Sequence, residues 1–262
     1  MRNDPLGLLK GDYITPPQKR KWLHRTCPTL SFYRLMLKEV FTASRAGKRG
    51  HLTFDQYCDH AVGVFRAVEK VGGRIEIKGY DQVPADGWPY VFVANHMSVL
   101  ETFIFAALLN PKGGHMFVVK KALIEYPVFK HVMRSLDPVV VGRENPREDL
   151  MEVLKKGTEK LQSGLSMIIF PQKTRTLAFE PENFNTIGIK LARRAAVPVV
   201  PVALKTDFWG QGKRFKDFGG IFPEKTVRFQ FGAPIDVKGK GQAEHEEIVR
   251  FIEKYFSLWE RE

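Results

Sequence analysis

The sequence predicts an α/β protein whose sheet is covered on both faces. Short runs that are apolar throughout, at residues 90–94, 138–141, 167–170 and 197–204, alternate with stretches whose apolar residues recur at helical spacing, such as 147–161 and 187–196. Strands buried on both faces read that way, and their alternation with helices is the α/β pattern. Polar residues then collect directly after strands: His96 with Glu101, Lys120 with Lys121, Arg143, and Lys173 with Arg175. Ligands of open α/β sheets bind beyond the carboxyl ends of the strands, so the same observation marks a candidate site.

Taken in order, residues 1–20 are polar, carry Pro5, Pro16 and Pro17, and read as an irregular arm. Leu30, Tyr33, Met36, Leu37, Val40 and Phe41 recur at helical spacing over 28–44, and Tyr57, Ala61, Phe65 and Val68 do so over 53–71, where Thr53 is a plausible cap. Cations flank the first of these helices: Lys19, Arg20, Lys21 and Arg25 before it, and Arg45, Lys48 and Arg49 after it. Such a helix can pack on a domain or lie in a lipid interface. Residues 1–72 are therefore expected to form a small N-terminal unit of an arm and two amphipathic helices, and 73–262 the α/β domain. Residues 74–78 alternate as a strand should, and 117–121 form a strand that runs into Lys120 and Lys121. The stretch 207–225 interleaves aromatic residues with Lys213, Arg214 and Lys216 and is long for a loop, which suggests binding or a lid. A strand at 227–231 and an amphipathic helix at 247–259 close the chain.

The chain has 262 residues, 44% of them hydrophobic, which suits one large domain or a main domain with an appendage. A net charge of +12 and a pI near 9.7 favour an anionic partner: nucleic acid, anionic lipid or a phosphate-bearing substrate. Cys27 and Cys58 have neither metal-ligand spacing nor a framework of bridges, so no metal site is expected and a reducing compartment is. The N-terminal residues lack the apolar core of a secretory signal, and no run of about 18 uncharged apolar residues offers a membrane span. A protein that is soluble or lies on a membrane is expected.

Among the polar clusters, 95–101 carries the sharpest chemistry. A histidine at a strand end with a carboxylate five residues on is a candidate general base with its orienting group. In a straight helix that step turns through about 140°, so the two can meet only if His96 lies in the turn and Glu101 in the first turns of the helix. The plain alternative is a structural histidine and a surface glutamate.

The clusters together resemble the motifs of the glycerolipid acyltransferases, the 1-acylglycerol-3-phosphate (lysophosphatidic acid) acyltransferase family. Asn95-His96 with Glu101 resembles the first motif, an Asn-His, four residues, then Asp. Val141-Gly142-Arg143 resembles the second, and 170–176, reading Phe-Pro-Gln-Lys-Thr-Arg-Thr, stands where the third reads Phe-Pro-Glu-Gly-Thr-Arg-Ser. The apolar run 197–202, with Pro198 and Pro201, resembles the fourth. Order and spacing agree over about residues 74–236. The resemblance implies a mostly buried mixed sheet flanked by helices. It implies transfer of a fatty acyl chain from an acyl-CoA or acyl-carrier-protein thioester to the free hydroxyl of 1-acylglycerol 3-phosphate, giving phosphatidic acid in phospholipid biosynthesis, with no cofactor.

On this resemblance His96 and Glu101 are the catalytic pair. Arg143, Lys173, Thr174 and Arg175 bind the acceptor, and Lys120 and Lys121 serve the acceptor or the phosphates of the donor. Backbone N–H groups at the start of the helix after His96 are the expected oxyanion donors. The protein would sit peripherally on anionic lipid at the cytoplasmic face of the inner membrane, and nucleic acid is not an expected partner. Two departures, Gln172 for Glu and Lys173 for Gly, raise the alternatives of a lyso-lipid acceptor without the glycerol phosphate and of a non-catalytic lipid-binding protein.

Overall fold

The computed structural model describes residues 4–18, 22–142, 144–212 and 216–262. Its N-terminal part contains β1 (Tyr13–Ile14), α1 (Trp22–Thr26), α2 (Pro28–Lys48), α3 (Phe54–Lys70) and β2 (Ile75–Lys78). There follow β3 (Val91–Ala94), α4 (Leu100–Leu109), β4 (His115–Lys120), α5 (Lys121–Glu125), α6 (Phe129–Leu136), β5 (Val139–Val141), α7 (Pro146–Gln162) and β6 (Ser166–Ile169). The chain ends with α8 (Ile187–Ala195), β7 (Val199–Lys205), β8 (Val227–Phe231) and α9 (Gln242–Glu260). The eight strands form one mixed sheet in the order β1-β2-β8-β7-β3-β6-β4-β5. From β7 across to β5 all pairings are parallel, while β7 with β8 and β1 with β2 are antiparallel. The carboxyl ends of β7, β3, β6, β4 and β5 thus share one edge, with β3 between β7 and β6.

Side-chain alternation splits the interior in two. Phe92 and Ala94 of β3, Ile168 of β6 and Val200, Val202 and Leu204 of β7 face a core shared with α2, α3, α4 and α6. Val91, Val93, Met167, Ile169, Val199 and Ala203 face the other core, built with α7, α8 and most of α9. A period-two register puts successive residues on opposite faces, so helices on both sides require strands apolar throughout. The helix behind β3 sits close: a Cβ at Gly188 of α8 would lie 2.5 Å from a Val93 methyl.

Local signals fix several helix starts. Thr53 and Gln56 form a reciprocal capping box on α3, and Asn145 accepts from the N–H groups of Arg147 and Glu148 ahead of Pro146 on α7. α2 and α3 share the first core with the sheet: Phe32 and Phe65 are fully buried, and Phe32 meets Phe208 and Trp209 edge-on at 5.6 and 5.1 Å. Among the described residues no helix is long and apolar enough to cross a membrane.

Three features depart from the sequence reading. Residues 1–20 are not uniformly irregular, because Leu6 and Leu8 are buried and β1 adds an antiparallel edge strand to β2. Tyr13 holds that strand by donating to the buried Glu69, which Arg66 also binds at 2.8 Å. A two-residue strand has no periodicity to read, and its anchor lies 56 residues away. Next, α6 was not anticipated, although Phe129, Val132, Met133 and Leu136 have helical spacing. Last, α9 starts five residues before the expected 247, because its polar first turn carries no apolar pattern.

Candidate active site

The turn between β3 and α4 brings His96 and Glu101 together. Glu101 is the second residue of α4, a helix apolar on nearly every side, and it is fully buried. A surface glutamate is thereby excluded. Its carboxylate accepts from His96 Nδ1 at 2.8 Å, from the backbone N–H of Met97 at 2.7 Å and from that of Ser98 at 2.8 Å, all at Oε1. Oε2 accepts from the Ser98 hydroxyl at 2.8 Å and the Thr206 hydroxyl at 2.7 Å. Burial by itself raises the pKa of this carboxyl. The hydrogen bond and charge of His96, with the two hydroxyls, outweigh burial and hold it below the usual carboxylate range.

An ionised Glu101 can only accept, so Nδ1 of His96 must carry a proton, and in the neutral imidazole Nε2 then holds the lone pair. The His96 side chain is 19% exposed and stacks on Phe170, with ring centroids 4.3 Å apart and planes at 16°. Phe117 and Phe105 extend this aromatic row on the same face of the sheet. Asn95 closes the end of β3 onto β7: its side-chain amide donates to the Leu204 carbonyl at 2.8 Å and accepts from the Leu204 N–H at 2.9 Å. It imitates one more residue of strand pairing just before His96.

The segment after β6 is tied to the backbone of His96 at both ends. Buried Gln172 accepts from the His96 N–H at 2.6 Å, and the Thr176 N–H donates to the His96 carbonyl at 3.0 Å. Gln172 Nε2 also donates to Thr176 Oγ1 at 2.7 Å, and that hydroxyl donates on to the Ala178 carbonyl at 2.7 Å. Lys173, Thr174 and Arg175 therefore lie on a loop braced against His96. Lys173 and Thr174 are exposed, and Arg175 is ion-paired with Asp217.

Sheet register places the remaining cations. Val93 pairs with Ile169 and Phe117 with Ile168, which puts Lys120 level with residues 95 and 171, two strands from β3. Neighbouring strands are about 4.8 Å apart, so Lys120 and Lys121 stand about 10 Å along the edge from the His96 turn. Both are exposed. Arg143 lies outside the described residues, two positions past the end of β5.

Sequence reasoning missed Ser98, Thr206, Phe170 and the role of Gln172. Ser98 lay within the motif, but Thr206 bonds Glu101 across 105 positions, and no local pattern marks it. The expected oxyanion donors also find other partners: the N–H groups of Met97 and Ser98 bind Glu101, and that of Leu100 binds the Ser98 hydroxyl.

Comparison with known proteins follows this geometry. The chain is 27% identical over 210 residues to the 1-acyl-sn-glycerol-3-phosphate acyltransferase of Pseudomonas aeruginosa, covering 80% of this chain and 77% of that one. It is 29% identical over 163 residues to the chloroplastic enzyme BAT2 of Brassica napus, which carries the same activity in its name; that match covers 62% of this chain and 45% of that protein. The crystal structure of the 1-acyl-sn-glycerophosphate acyltransferase PlsC of Thermotoga maritima matches the fold with a TM-score of 0.61, at 22% identity, over 89% of this chain and 93% of that one. Residues 74–205, half of the chain and the part that contains β3, the His96 turn and the 172–176 loop, match the profile of the Acyltransferase family, and the chain belongs to that family.

Proposed function

We propose that this enzyme moves a fatty acyl chain from an acyl-CoA or acyl-carrier-protein thioester to the free hydroxyl of 1-acylglycerol 3-phosphate, giving phosphatidic acid for phospholipid biosynthesis. The observation that carries the reading is the His96–Glu101 pair at 2.8 Å, with the carboxylate buried and ionised. His96 Nε2 takes the proton from the acceptor hydroxyl as its oxygen attacks the thioester carbonyl. The tetrahedral adduct collapses by expelling the thiolate, which takes the proton back from the imidazolium. Glu101 fixes the tautomer and stabilises the imidazolium between these steps. The thioester is already activated, so the step calls on no cofactor or metal.

Arg175, Lys173 and Thr174, with Arg143, hold the phosphate of the acceptor, and Lys120 and Lys121 hold donor phosphates farther along the edge. The names of the relatives support the lysophosphatidic acid acceptor. The inward position of Gln172 supports it too, since that departure from the family motif acts on the His96 loop and leaves the cations in place. The decisive experiment follows thiol release from an acyl-CoA in the presence of lysophosphatidic acid, for the unmodified protein and for His96→Ala. Acceptor-dependent release that disappears in the variant is expected, and undiminished release would remove His96 from the mechanism.

The acceptor lives in a bilayer, and we place residues 1–72 at its surface, with the enzyme peripheral on the cytoplasmic face of the inner membrane. Trp22, Leu23, Leu30 and Phe41 are exposed on α1 and α2, and Arg45, Lys48 and Arg49 are exposed at the end of α2. This combination suits an interface of apolar chains and anionic headgroups. Sedimentation with anionic vesicles at low salt, lost at high salt, is expected; a protein that stays in the supernatant at low salt contradicts it.

A further inference from the structure

The Arg175 side chain is 18% exposed, and its guanidinium is held by a carboxylate of this same chain, that of Asp217. Asp217 comes from the 207–225 stretch, which the structure pins at several points. Trp209 bridges to Ile221, Gly210 donates to the Gly220 carbonyl at 2.9 Å, and Phe222 donates to the Phe208 carbonyl at 2.8 Å. α2 holds the same segment: Tyr33 donates to the Gly219 carbonyl at 2.8 Å, and Thr29 accepts from the Ile221 N–H at 3.1 Å. Gln211 reaches the carbonyls of both Met97 and Arg175 at 3.4 Å. The backbone around Asp217 is thus built to one side of the site, and the carboxylate of this side chain, itself 58% exposed, lies on the cation that the proposed acceptor phosphate would use.

We propose that Asp217 competes with the phosphate of the acceptor, and equally of the product, for Arg175, so that it sets acceptor affinity and drives release of the phosphate-bearing product. The inference rests on the reading that Arg175 holds the phosphate. A phosphate monoester carries more charge than a carboxylate and can take the guanidinium fork with two oxygens, so it displaces Asp217. After transfer both ligand and product face the same competitor. Binding weakened equally in the ground and transition states raises KM and leaves the chemical step alone.

The experiment compares Asp217→Asn, Asp217→Glu and Arg175→Gln with the unmodified protein by titrating lysophosphatidic acid at saturating acyl-CoA, and measures inhibition by inorganic phosphate. A partly exposed ion pair is worth about two- to fivefold in binding. Asp217→Asn is therefore expected to lower KM and the phosphate inhibition constant by about that factor, with a larger change in KM than in kcat, whereas Asp217→Glu keeps both constants near the unmodified values. If Arg175→Gln raises KM but Asp217→Asn leaves it unchanged or raises it, competition is overturned and the reading of Arg175 stands. If Asp217→Glu behaves like Asp217→Asn, the carboxylate is not the competitor. If Arg175→Gln leaves KM unchanged, the reading of Arg175 falls and takes the inference with it.

Discussion

Replacing Glu101 by Gln separates the charge of this side chain from its shape. Oε1 faces three donors, His96 Nδ1 and the N–H groups of Met97 and Ser98, whereas Oε2 faces the hydroxyls of Ser98 and Thr206 and only shares the Ser98 N–H, at 3.0 Å against 2.8 Å to Oε1. Hydroxyls can turn and accept, and backbone N–H groups cannot. A glutamine therefore settles with its oxygen toward His96 and its NH₂ toward the hydroxyls, which preserves the tautomer and the turn. What it loses is the charge opposite the imidazolium. Two charges about 4 Å apart at an effective dielectric of about 20 interact by about 4 kcal/mol. That sets a ceiling of about 10³-fold on the loss of kcat, and the remaining amide dipole brings the expected loss to between about 10²- and 10³-fold.

Glu101→Ala provides the contrast, because it leaves the N–H groups of Met97 and Ser98 buried without partners, at about 1–3 kcal/mol each. Thiol-release kinetics and thermal unfolding of the three proteins decide the matter. Glu101→Gln should be crippled in rate but lose far less stability than Glu101→Ala, which should be crippled in both. A Glu101→Gln enzyme within about fivefold of full rate refutes the electrostatic role. The linkage has a definite sign: the folded carboxyl is held below its unfolded value of about 4.3, so its stabilisation is complete above that pH and is lost as pH falls through the folded value. Below about pH 4.3 the stability advantage of the unmodified protein over Glu101→Gln should shrink.

Thr206→Val keeps the shape of the side chain and deletes the 2.7 Å bond to Glu101 Oε2; a bond to a charged group is worth about 1.5–3 kcal/mol, so the unfolding midpoint should fall by several degrees and the rate by a smaller factor than in Glu101→Gln. Gln172→Ala leaves the His96 N–H without its acceptor and should lower kcat more than Gln172→Glu, which still accepts that N–H but forces the Thr176 hydroxyl away from Ala178; equal kinetics in the two variants would contradict the bracing role. Tyr13→Phe removes a donor from buried Glu69 while Arg66 remains, and should destabilise by about 1–2 kcal/mol in chemical denaturation without altering thiol release.

How much of this was legible depended on how far apart in the chain the interacting groups lie. The strands around the site could be read because burial on both faces demands unbroken apolar runs, and β3, β6 and β7 carry them. His96 and Glu101 could be read as a pair because five residues of turn and helix start bring them together without help from elsewhere. Partners that complete the site are remote: Gln172 reaches His96 across 76 positions and Asp217 reaches Arg175 across 42. Nothing local distinguishes those residues from solvated polar side chains. The oxyanion donors illustrate the converse failure. A helix start offers unpaired N–H groups in general, but here a carboxylate one turn later claims two of them, a competition that only the folded turn reveals.

The two departures in the third motif act at different places. Gln172 is buried, and its amide meets one group that can only donate, the His96 N–H, and one that already donates elsewhere, the Thr176 hydroxyl. An amide satisfies both at once, whereas a carboxylate satisfies the first and must redirect the second, so this change concerns how firmly His96 is held. Lys173 is exposed on the same loop, two positions before Arg175, so under the proposed assignment of this loop to the acceptor phosphate its change concerns the charge that meets the acceptor. Compared with Glu-Gly, the pair makes this loop two charges more positive, one lost from an acid and one gained from a base. A more positive loop strengthens the hold on any phosphate, product included, and an anion of the chain itself on Arg175 opposes that hold. Under the proposed roles Lys173 and Asp217 pull in opposite directions on one ligand, and substituting each alone should move acceptor affinity in opposite senses.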